Sequence, residues 1–354
     1  MLIINNIPIS YRNALFSSIS NIVPGTKVVF LAETETVRGQ IELRHLENVD
    51  YRILKPLFRT RDSRTTTSDR IGVVIPARMV SDSDSVLAFG YSYAAIVMAI
   101  AQARLFGKRT TLFCESTLWD TRKRGLQAAI KPYLLSGLFQ SFLAPGVDSA
   151  DYLMSLGVDH RRITIAANAV SPEFHRSSRR RATPEKGQPI RVGLIGRLAP
   201  EKRFAWAIRA LVGVDNYIFF VAGEGDQKAE IQELSRSHPV SICGHLSKER
   251  LLELYSELDV VLLPSESEPW GFVVNEAIAA GCPVVLSDRV GARAAVVPQA
   301  GQSFSAGDEV SLKSAMQTVV NSLETYSEGA LLLAKELTVE KQARTIVEHM
   351  RTKF

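Results

Sequence analysis

The chain has 354 residues, of which 46% are hydrophobic and 22% charged, a balance typical of a globular protein and not of a disordered or fibrous one. No run of about 18 uncharged apolar residues is present, so no transmembrane helix is predicted. The three cysteines, Cys114, Cys243 and Cys282, are scattered and odd in number, which argues against a disulfide framework or a zinc site and favours a reducing cytoplasm. The first five residues lack a basic n-region and a small-residue cleavage site, so we interpret them as a strand and not as a signal peptide.

Charge is distributed unevenly along the chain. Residues 1–186 carry 25 lysine and arginine residues against 16 acidic ones, whereas residues 187–354 carry 17 against 21. A basic first half suggests an anionic partner. Nucleic acid is not favoured, because the sequence has no helix-turn-helix, zinc-finger or aromatic RNP pattern. An anionic membrane surface or a lipid diphosphate acceptor fits better.

The first half alternates strand-like and helix-like segments, which predicts a doubly wound parallel α/β sheet. Ligands of such sheets bind beyond the carboxyl ends of the strands, which draws attention to the loops at 5–12, 90–92 and 115–119. Residues 59–70 are polar and basic, and a mobile loop is expected there. The strand candidates are 2–5, 27–31, 71–75, 85–89 and 109–113, and the helix candidates are 13–23 and 93–106.

The pattern breaks at 176–189, a stretch rich in Arg, Ser and Pro that we interpret as a linker. A second strand series follows, which makes two domains of about 150–200 residues the expected organisation. Residues 338–350 have a charged helical pattern. The predicted strands are 190–195, 217–222, 241–243, 260–263 and 284–286. The predicted divisions are 1–175, the linker 176–189, 190–335, and a last helical segment 336–354.

Two glutamates eight positions apart flank a predicted strand–loop–helix junction. The apolar run 260–263 is of strand type, and 272–280 has helical spacing ended by Gly281. Glu268 therefore lies in the loop, and Glu276 lies about one turn inside the helix. A helix N-terminus favours a phosphate, and flanking carboxylates are able to accept hydrogen bonds from sugar hydroxyls. This arrangement predicts a nucleotide-sugar site.

The block Glu268-Pro-Trp-Gly-Phe-Val-Val-Asn-Glu276, with its Ala-x-Ala-x-Gly-x-Pro-Val-Val tail, resembles the Glu-x7-Glu motif of retaining glycosyltransferases with the GT-B fold. The resemblance is to the large fourth family, also described as group 1. It implies two Rossmann-like domains facing a central cleft, with a last helix in 336–354 that crosses back to the first domain. It also implies a nucleotide diphosphate sugar in the second domain, an acceptor in the first, retention of anomeric configuration, and no metal or other cofactor.

The same resemblance assigns roles within this block. Glu276 matches the glutamate that binds the ribose hydroxyls, and Glu268 matches the one beside the donor sugar. The backbone N–H groups of Gly271, Phe272 and Val273 are expected to face the sugar and phosphate.

A second block, Gly193-Leu-Ile-Gly196-Arg197-Leu-Ala-Pro-Glu-Lys202, follows a predicted strand. The Gly-x-Gly-x-x-Gly pattern of dinucleotide sites is absent. A glycine turn that brings Arg197 and Lys202 towards a common point suits a diphosphate. The segment resembles the Gly-Arg-Leu-x-x-x-Lys segment of the same family, which implies that both cations hold the donor diphosphate.

Two further glycine turns, at Gly223 and Gly244, resemble those that surround the nucleotide base in this family. Base recognition there is through backbone groups, so the base is not readable from side chains. His245 follows the second of these turns, and a ligand contact and a packing or capping role remain equally open for it.

Two candidates lie in the first half. Arg12 belongs to an opening loop and helix that looks like those of some family members, and it either contacts a phosphate or the acceptor or is a surface arginine at a helix start. Glu115 ends a strand where many family members carry a histidine near the reacting sugar. It is the candidate for supporting the anomeric centre or the acceptor hydroxyl, against a purely structural role.

The segment 121–134 has apolar residues on one helical face and begins with Arg122, Lys123 and Arg124. A basic amphipathic helix is able to lie on an anionic membrane, and a core-facing helix with a solvated basic edge is the alternative. The predicted location is cytoplasmic, at or near the inner face of the plasma membrane.

The sequence thus predicts a retaining, metal-independent glycosyltransferase that moves a sugar from a nucleotide diphosphate sugar to an acceptor hydroxyl, on a lipid-linked or polysaccharide intermediate of cell-surface glycan synthesis. Two alternatives stay open. A GT-B nucleotide-sugar epimerase would release an epimerised nucleotide sugar without an acceptor. A non-catalytic partner of another transferase would bind a nucleotide sugar or a membrane without turnover.

Overall fold

The computed structural model describes residues 1–33, 43–61, 69–120, 135–176, 184–185, 187–214 and 216–352. The chain forms two compact units. Unit 1 comprises Met1–Ala167 and Val339–Phe354, and unit 2 comprises Asn168–Thr338. Among the described residues, none of the helices is both long and apolar enough to cross a bilayer.

Unit 1 is built on a seven-stranded parallel sheet with the strand order β3-β2-β1-β6-β7-β8-β9. Its central strands are apolar runs buried along almost their whole length, as expected for a parallel sheet covered on both faces. The strands are β1 Leu2–Asn5, β2 Lys27–Phe30, β3 Asp50–Ile53, β4 Phe58–Arg61, β5 Asp69–Gly72, β6 Ser85–Phe89, β7 Arg109–Phe113, β8 Ser141–Ala144 and β9 Ile163–Ile165. The helices before the second unit are α1 Ser10–Ile22, α2 Ala77–Ser81, α3 Ala94–Leu105 and α4 Val147–Ser155.

The predicted parallel sheet is confirmed, and one of its predicted strands is wrong. Residues 71–75 were expected to join the main sheet, but β5 pairs antiparallel with β4 in a separate two-stranded ribbon. The expected loop at 59–70 therefore carries strand at both of its ends, and 62–68 lies outside the described residues. Three strands of the main sheet, β3, β8 and β9, were missed, and β3 and β9 are its edge strands. Asp50–Ile53 is largely exposed and polar, so it has no apolar run to detect.

Unit 2 contains a six-stranded parallel sheet with the order β12-β11-β10-β13-β14-β15. Five of its strands were predicted, and β15 was missed because its sequence, Gly-Gln-Ser-Phe, has no strand pattern. The strands are β10 Ile190–Ile195, β11 Tyr217–Ala222, β12 Val240–Gly244, β13 Val260–Leu263, β14 Val284–Ser287 and β15 Gly301–Phe304. The helices are α5 Pro172–Arg176, α6 Phe204–Leu211, α7 Lys228–Ser235, α8 Lys248–Glu257, α9 Phe272–Ala279, α10 Arg293–Val296, α11 Glu309–Val320 and α12 Leu323–Ala334.

The last helix, α13 (Val339–Arg351), belongs to unit 1 and packs on α1. The side chain of Gln342 donates to the carbonyl of Ala166 at 3.4 Å, and His349 Nδ1 lies 2.8 Å from Thr164 Oγ1. Apolar side chains on one face of the helix, among them Ala343 and Ile346, are fully buried. These contacts fix the helix within the first unit.

His349 predicts a pH dependence of stability. Burial lowers the pKa of its imidazole to about 4, below the ordinary value near 6.5, so protonation favours the unfolded chain. The stability that neutral His349 contributes is present above pH 6.5 and is lost as the pH falls towards 4, by about 1–3 kcal/mol. Urea unfolding at pH 7 and pH 4.5 should show a smaller pH dependence for His349→Asn than for the wild type. An identical pH dependence in both would contradict this origin.

Candidate active site

Two loops that follow neighbouring strands meet at the carboxyl edge of the unit 2 sheet. β10 pairs directly with β13, so the loop carrying Lys202 lies beside the loop carrying Glu268. Lys202 Nζ and the Glu268 carboxylate form an ion pair, with side chains only 15% and 16% exposed. The backbone N–H of Glu266 donates to the carbonyl of Glu201 at 2.8 Å and ties the loops together. Two predicted site residues from separate motifs are therefore in contact.

The guanidinium of Arg197 is directed to a neighbour on its own loop. Its Nη2 donates to Glu201 Oε1 at 2.8 Å, and both side chains are more than a third exposed. An ion pair this accessible to solvent contributes little to stability. Arg197 can therefore leave Glu201 and bind an anion that carries more charge than a carboxylate at little energetic cost. Arg197 and Lys202 thus lie on one loop, each paired with a different glutamate.

The three predicted glycine turns lie side by side at this edge. The N–H of Gly196 donates to the carbonyl of Ala222 at 2.9 Å, and the N–H of Gly223 donates to the carbonyl of Gly244 at 2.7 Å. A Cβ at Gly223, where φ is 140°, would lie 1.8 Å from the oxygen of Gly196. Only glycine permits this approach of backbone to backbone. The side chain of His245, just beyond the third turn, is exposed.

Helix α9 begins at the same edge. Gly271 precedes it in a left-handed conformation with φ of 93°, and no side chain caps the start of the helix. A Cβ at Gly271 would be tight against Leu263 and Glu268, at 3.1 and 3.2 Å. Phe272 and Val273 form the first turn, so this end of the helix carries the partial positive charge that suits an anion.

Glu276 lies one turn into α9 and is held by a tyrosine that the sequence analysis missed. Tyr255 Oη, on α8, donates to Glu276 Oε2 at 2.6 Å, a length typical of a charge-assisted bond. Burial raises the pKa of the Glu276 carboxyl, and the Tyr255 hydrogen bond and the charge of Lys248 oppose that rise. Since Tyr255 and Glu276 are 21 positions apart on different helices, no local spacing reveals their contact.

Lys248, at the start of α8, is a second residue that sequence reasoning missed. Its ammonium donates to Ser171 Oγ at 3.0 Å, pairs with Glu173 Oε2 at 3.2 Å and lies over the ring of Phe174. Burial raises the pKa of Glu173, but hydrogen bonds from its own backbone, Ser171 and Lys248 outweigh that effect and lower the pKa to about 2. The cation is thereby fixed close enough to act on Glu276.

Unit 1 has its own cavity, of about 300 Å³, at the carboxyl edge of its sheet. It is lined by residues of the three loops that the sequence predicted for ligand binding, those that follow β1, β6 and β7. Arg12 and Glu115 both line it and form an ion pair of 2.6 Å. Tyr91 also lines it and is hydrogen-bonded to Tyr152 at 3.0 Å, and burial is the main cause that raises the pKa of the Tyr91 phenol.

Arg12 is not a surface residue. It is 3% exposed, and its guanidinium carbon lies 4.5 Å from the ring centroid of Phe89 and 4.8 Å from that of Phe113. Aromatic faces on a buried guanidinium supply cation–π attraction in place of water. The expectation of a helix-start surface arginine is therefore wrong, and Arg12 is a fixed part of the cavity wall.

The basic amphipathic segment 121–134 lies outside the described residues, as does most of the predicted linker at 176–189. Within the described ranges, no group of three or more His, Cys, Asp or Glu side chains is arranged to hold a metal ion.

Most of the second unit matches a known protein family. Residues 175–328 match the family described as glycosyl transferases group 1. The glycogen synthase of Mycobacterium tuberculosis is 32% identical over 193 residues, which cover 52% of this chain and 46% of that protein. A GDP-mannose-dependent alpha-mannosyltransferase of Mycolicibacterium smegmatis is 34% identical over 120 residues, covering 34% and 31%. The chain thus spans about half or less of the length of these relatives.

Solved structures establish the fold over nearly the whole chain. Anabaena Alr3699/HepE in complex with UDP and glucose superposes with a TM-score of 0.70 at 16% identity, covering 98% of both chains. The lipopolysaccharide outer core galactosyltransferase WaaB has a TM-score of 0.72 at 16% identity, covering 99% of both. The predicted GT-B fold is confirmed.

Proposed function

We propose that this chain, a group 1 glycosyl transferase with the GT-B fold, transfers a sugar from a nucleotide diphosphate sugar bound by unit 2 to an acceptor hydroxyl. The observation that carries the proposal is the contact between Lys202 and Glu268 at the strand edge where α9 begins. A cation for a diphosphate and a carboxylate for sugar hydroxyls lie together there, beside the positive end of a helix.

The donor diphosphate is held by Lys202 and Arg197, by the glycine turn at Gly196 and by the start of α9. Its negative charge competes with Glu268 for Lys202 and with Glu201 for Arg197. As Lys202 turns to the phosphate, the Glu268 carboxylate becomes available to accept hydrogen bonds from the sugar. The backbone N–H groups of Gly271, Phe272 and Val273 complete this cradle. Loading of the donor thus exchanges protein ion pairs for ligand contacts.

The nucleoside end of the donor extends along the same edge. The Glu276 carboxylate accepts hydrogen bonds from the ribose hydroxyls. The turns at Gly223 and Gly244, with His245 beyond them, surround the base. Support for a nucleotide donor comes from the Anabaena neighbour, whose structure holds UDP and glucose. The base and the sugar of this chain's own donor are left to the ligand screen described in the Discussion.

The reaction proceeds with retention of anomeric configuration and without a metal ion. The bond from the anomeric carbon to the diphosphate oxygen breaks, the acceptor oxygen forms the new glycosidic bond, and the departing phosphate takes the proton of the acceptor hydroxyl. Lys202, Arg197 and the α9 dipole stabilise the negative charge that grows on the leaving diphosphate.

The cavity of unit 1 receives the acceptor. Arg12 and Glu115 present a cation and a carboxylate in its wall, and Glu115 orients the acceptor hydroxyl or supports the anomeric centre. The acceptor is a lipid-linked or polysaccharide intermediate of cell-surface glycan synthesis. Relatives named as a glycogen synthase and a mannosyltransferase support a glycan product.

A membrane-bound acceptor implies that the protein binds anionic membranes at the inner face of the plasma membrane. We expect co-sedimentation with anionic vesicles, weaker at high salt because the attraction decays over a Debye length of ~8 Å at physiological ionic strength. Replacing Arg122, Lys123 and Arg124 with serine should weaken this binding and leave nucleotide affinity nearly unchanged. Equal recovery with neutral and anionic vesicles would contradict the prediction.

The direct test is incubation with UDP, GDP and ADP sugars and an oligosaccharide or lipid-linked acceptor panel. Acceptor-dependent release of nucleoside diphosphate, with a glycosylated product of retained anomeric configuration, is expected. An epimerised nucleotide sugar formed without acceptor would favour the epimerase alternative. Binding without turnover across the panel would favour the non-catalytic alternative.

A further inference from the structure

The Glu276 carboxylate, proposed above to bind the ribose, is held in place by a hydrogen bond from a buried tyrosine. Tyr255 Oη donates to Oε2 of Glu276 at 2.6 Å, and no second hydrogen bond to this carboxylate occurs within the described residues. Glu276 itself is partly exposed. One carboxylate oxygen is thus occupied by the protein, and the group can meet a ligand with the other.

Tyr255 is itself held rigidly. It is 1% exposed, and its ring meets that of Phe174 edge to face, with centroids 6.4 Å apart. A tyrosine has few rotatable bonds, and close packing of this buried ring fixes the position of its Oη. Burial and the Glu276 charge raise the pKa of the Tyr255 phenol well above its usual value, so it keeps the proton that it donates.

A glutamate side chain in solvent samples many rotamers, and fixing it has an entropic cost. The Tyr255 bond fixes the Glu276 carboxylate before any ligand arrives. A ligand hydroxyl that reaches the carboxylate then gains a well-placed acceptor, whereas a ligand that lacks the hydroxyl leaves the second oxygen of a partly buried carboxylate without a donor. Sites of this kind discriminate strongly against analogues that lack the hydroxyl.

We propose that Tyr255 is a positioning residue that aims the Glu276 carboxylate at the ribose and thereby gives the donor site its preference for ribose over 2′-deoxyribose nucleotides. The inference rests on the proposed function, in which Glu276 binds the ribose. A donor site with this preference should bind thymidine diphosphate sugars weakly, because the deoxyribose of their nucleoside lacks the 2′-hydroxyl.

The test is isothermal titration calorimetry of the full chain with UDP, GDP and their 2′-deoxy forms. The wild type should bind the better ribonucleotide at least about tenfold more tightly than its 2′-deoxy form. In Tyr255→Phe the ribonucleotide should bind about tenfold more weakly, with the 2′-deoxy form changed by less than about twofold, so that the preference largely disappears.

A matched control is Tyr326→Phe. Tyr326, on α12 of the same unit, accepts a hydrogen bond of the same length, 2.6 Å, from Gln302 and is not part of the site. This variant should keep the wild-type affinity for both forms. An equal loss of both forms in Tyr255→Phe would reveal a general packing role and overturn the proposal, and an unchanged preference would overturn it too.

If the Tyr255→Phe variant does not fold, the Glu276→Gln variant tests the same orientation of residue 276 by Tyr255. Its amide carbonyl accepts from Tyr255 and its NH₂ then faces the ligand, so the preference for ribose should fall; a retained preference would overturn the proposal. Glu276→Ala separates the two hypotheses. If Glu276→Ala leaves ribonucleotide affinity unchanged, Glu276 does not bind the ribose. If Glu276→Ala loses affinity and Tyr255→Phe does not, only the proposed role of Tyr255 is wrong.

Discussion

Replacing Lys202 with alanine is expected to reduce turnover on the order of 100- to 1,000-fold, the loss typical of removing one group that stabilises transition-state charge. Affinity for the uncharged nucleoside should change little. Lys202 is 15% exposed, so its charge is poorly screened and acts strongly on a diphosphate that becomes more negative as the sugar leaves. Steady-state kinetics with the donor identified by the screen, alongside nucleoside titrations, would measure both effects.

Two variants calibrate that result. Arg197→Ala should act in the same direction with a smaller effect, because the Arg197 side chain is 38% exposed and its charge is more fully screened by solvent. Lys313→Ala removes a partly exposed lysine that pairs with Glu309 on α11, and it should leave turnover unchanged. Addition of a chelator should leave the wild-type rate intact. A strict requirement of the chemical step for Mg²⁺ or Mn²⁺ would contradict the mechanism.

Replacing Glu276 with alanine is expected to weaken nucleoside diphosphate binding by about 1–3 kcal/mol, or roughly 5- to 150-fold. The change removes a charged acceptor that Tyr255 already holds in place, and it leaves the Tyr255 hydroxyl buried without its partner. Calorimetric titration measures the loss directly.

Glu233→Ala is the matched control for Glu276→Ala. Glu233 is an exposed glutamate on α7 that pairs with Arg236, and its loss should not affect nucleotide binding. If Glu276→Ala and Glu233→Ala both bind nucleoside diphosphates as the wild type does, Glu276 has no ribose role.

The parts of the fold that the sequence predicted are those where burial dictates composition. Central parallel strands such as β1 and β13 are covered on both faces and read as short apolar runs. The edge strand β3 has one neighbour and exposed side chains, so Asp50–Ile53 has no such signature. Ile71 is buried and apolar as a strand residue should be, yet only the fold reveals that its partner is β4.

In the candidate site, too, the sequence predicts local features and misses contacts between residues far apart in the chain. Motif spacing places Lys202, Glu268 and Glu276 on the correct loops and helix, because these positions are local to a strand end or a helix start. Contacts made across the sheet are not encoded in any spacing. Arg12 and Glu115 meet over 103 positions of chain, and the aromatic faces that bury Arg12 come from β6 and β7. Tyr255 belongs to no sequence motif. Its role is identified only from its hydrogen bond to the Glu276 carboxylate in the structure.

The central claim, that unit 2 binds a nucleoside diphosphate of the donor, is tested most directly by thermal unfolding with UDP, GDP, ADP and dTDP and their sugars. Ligand at about 100 times its Kd adds ~2.7 kcal/mol of stability, which raises the melting temperature of a unit of this size by roughly 5–10 °C. We expect such a rise with one of the ribonucleotides and its sugar, in the presence of chelator, and its loss in Glu276→Ala. No stabilisation by any of the four diphosphates or their sugars at millimolar concentration would contradict the account.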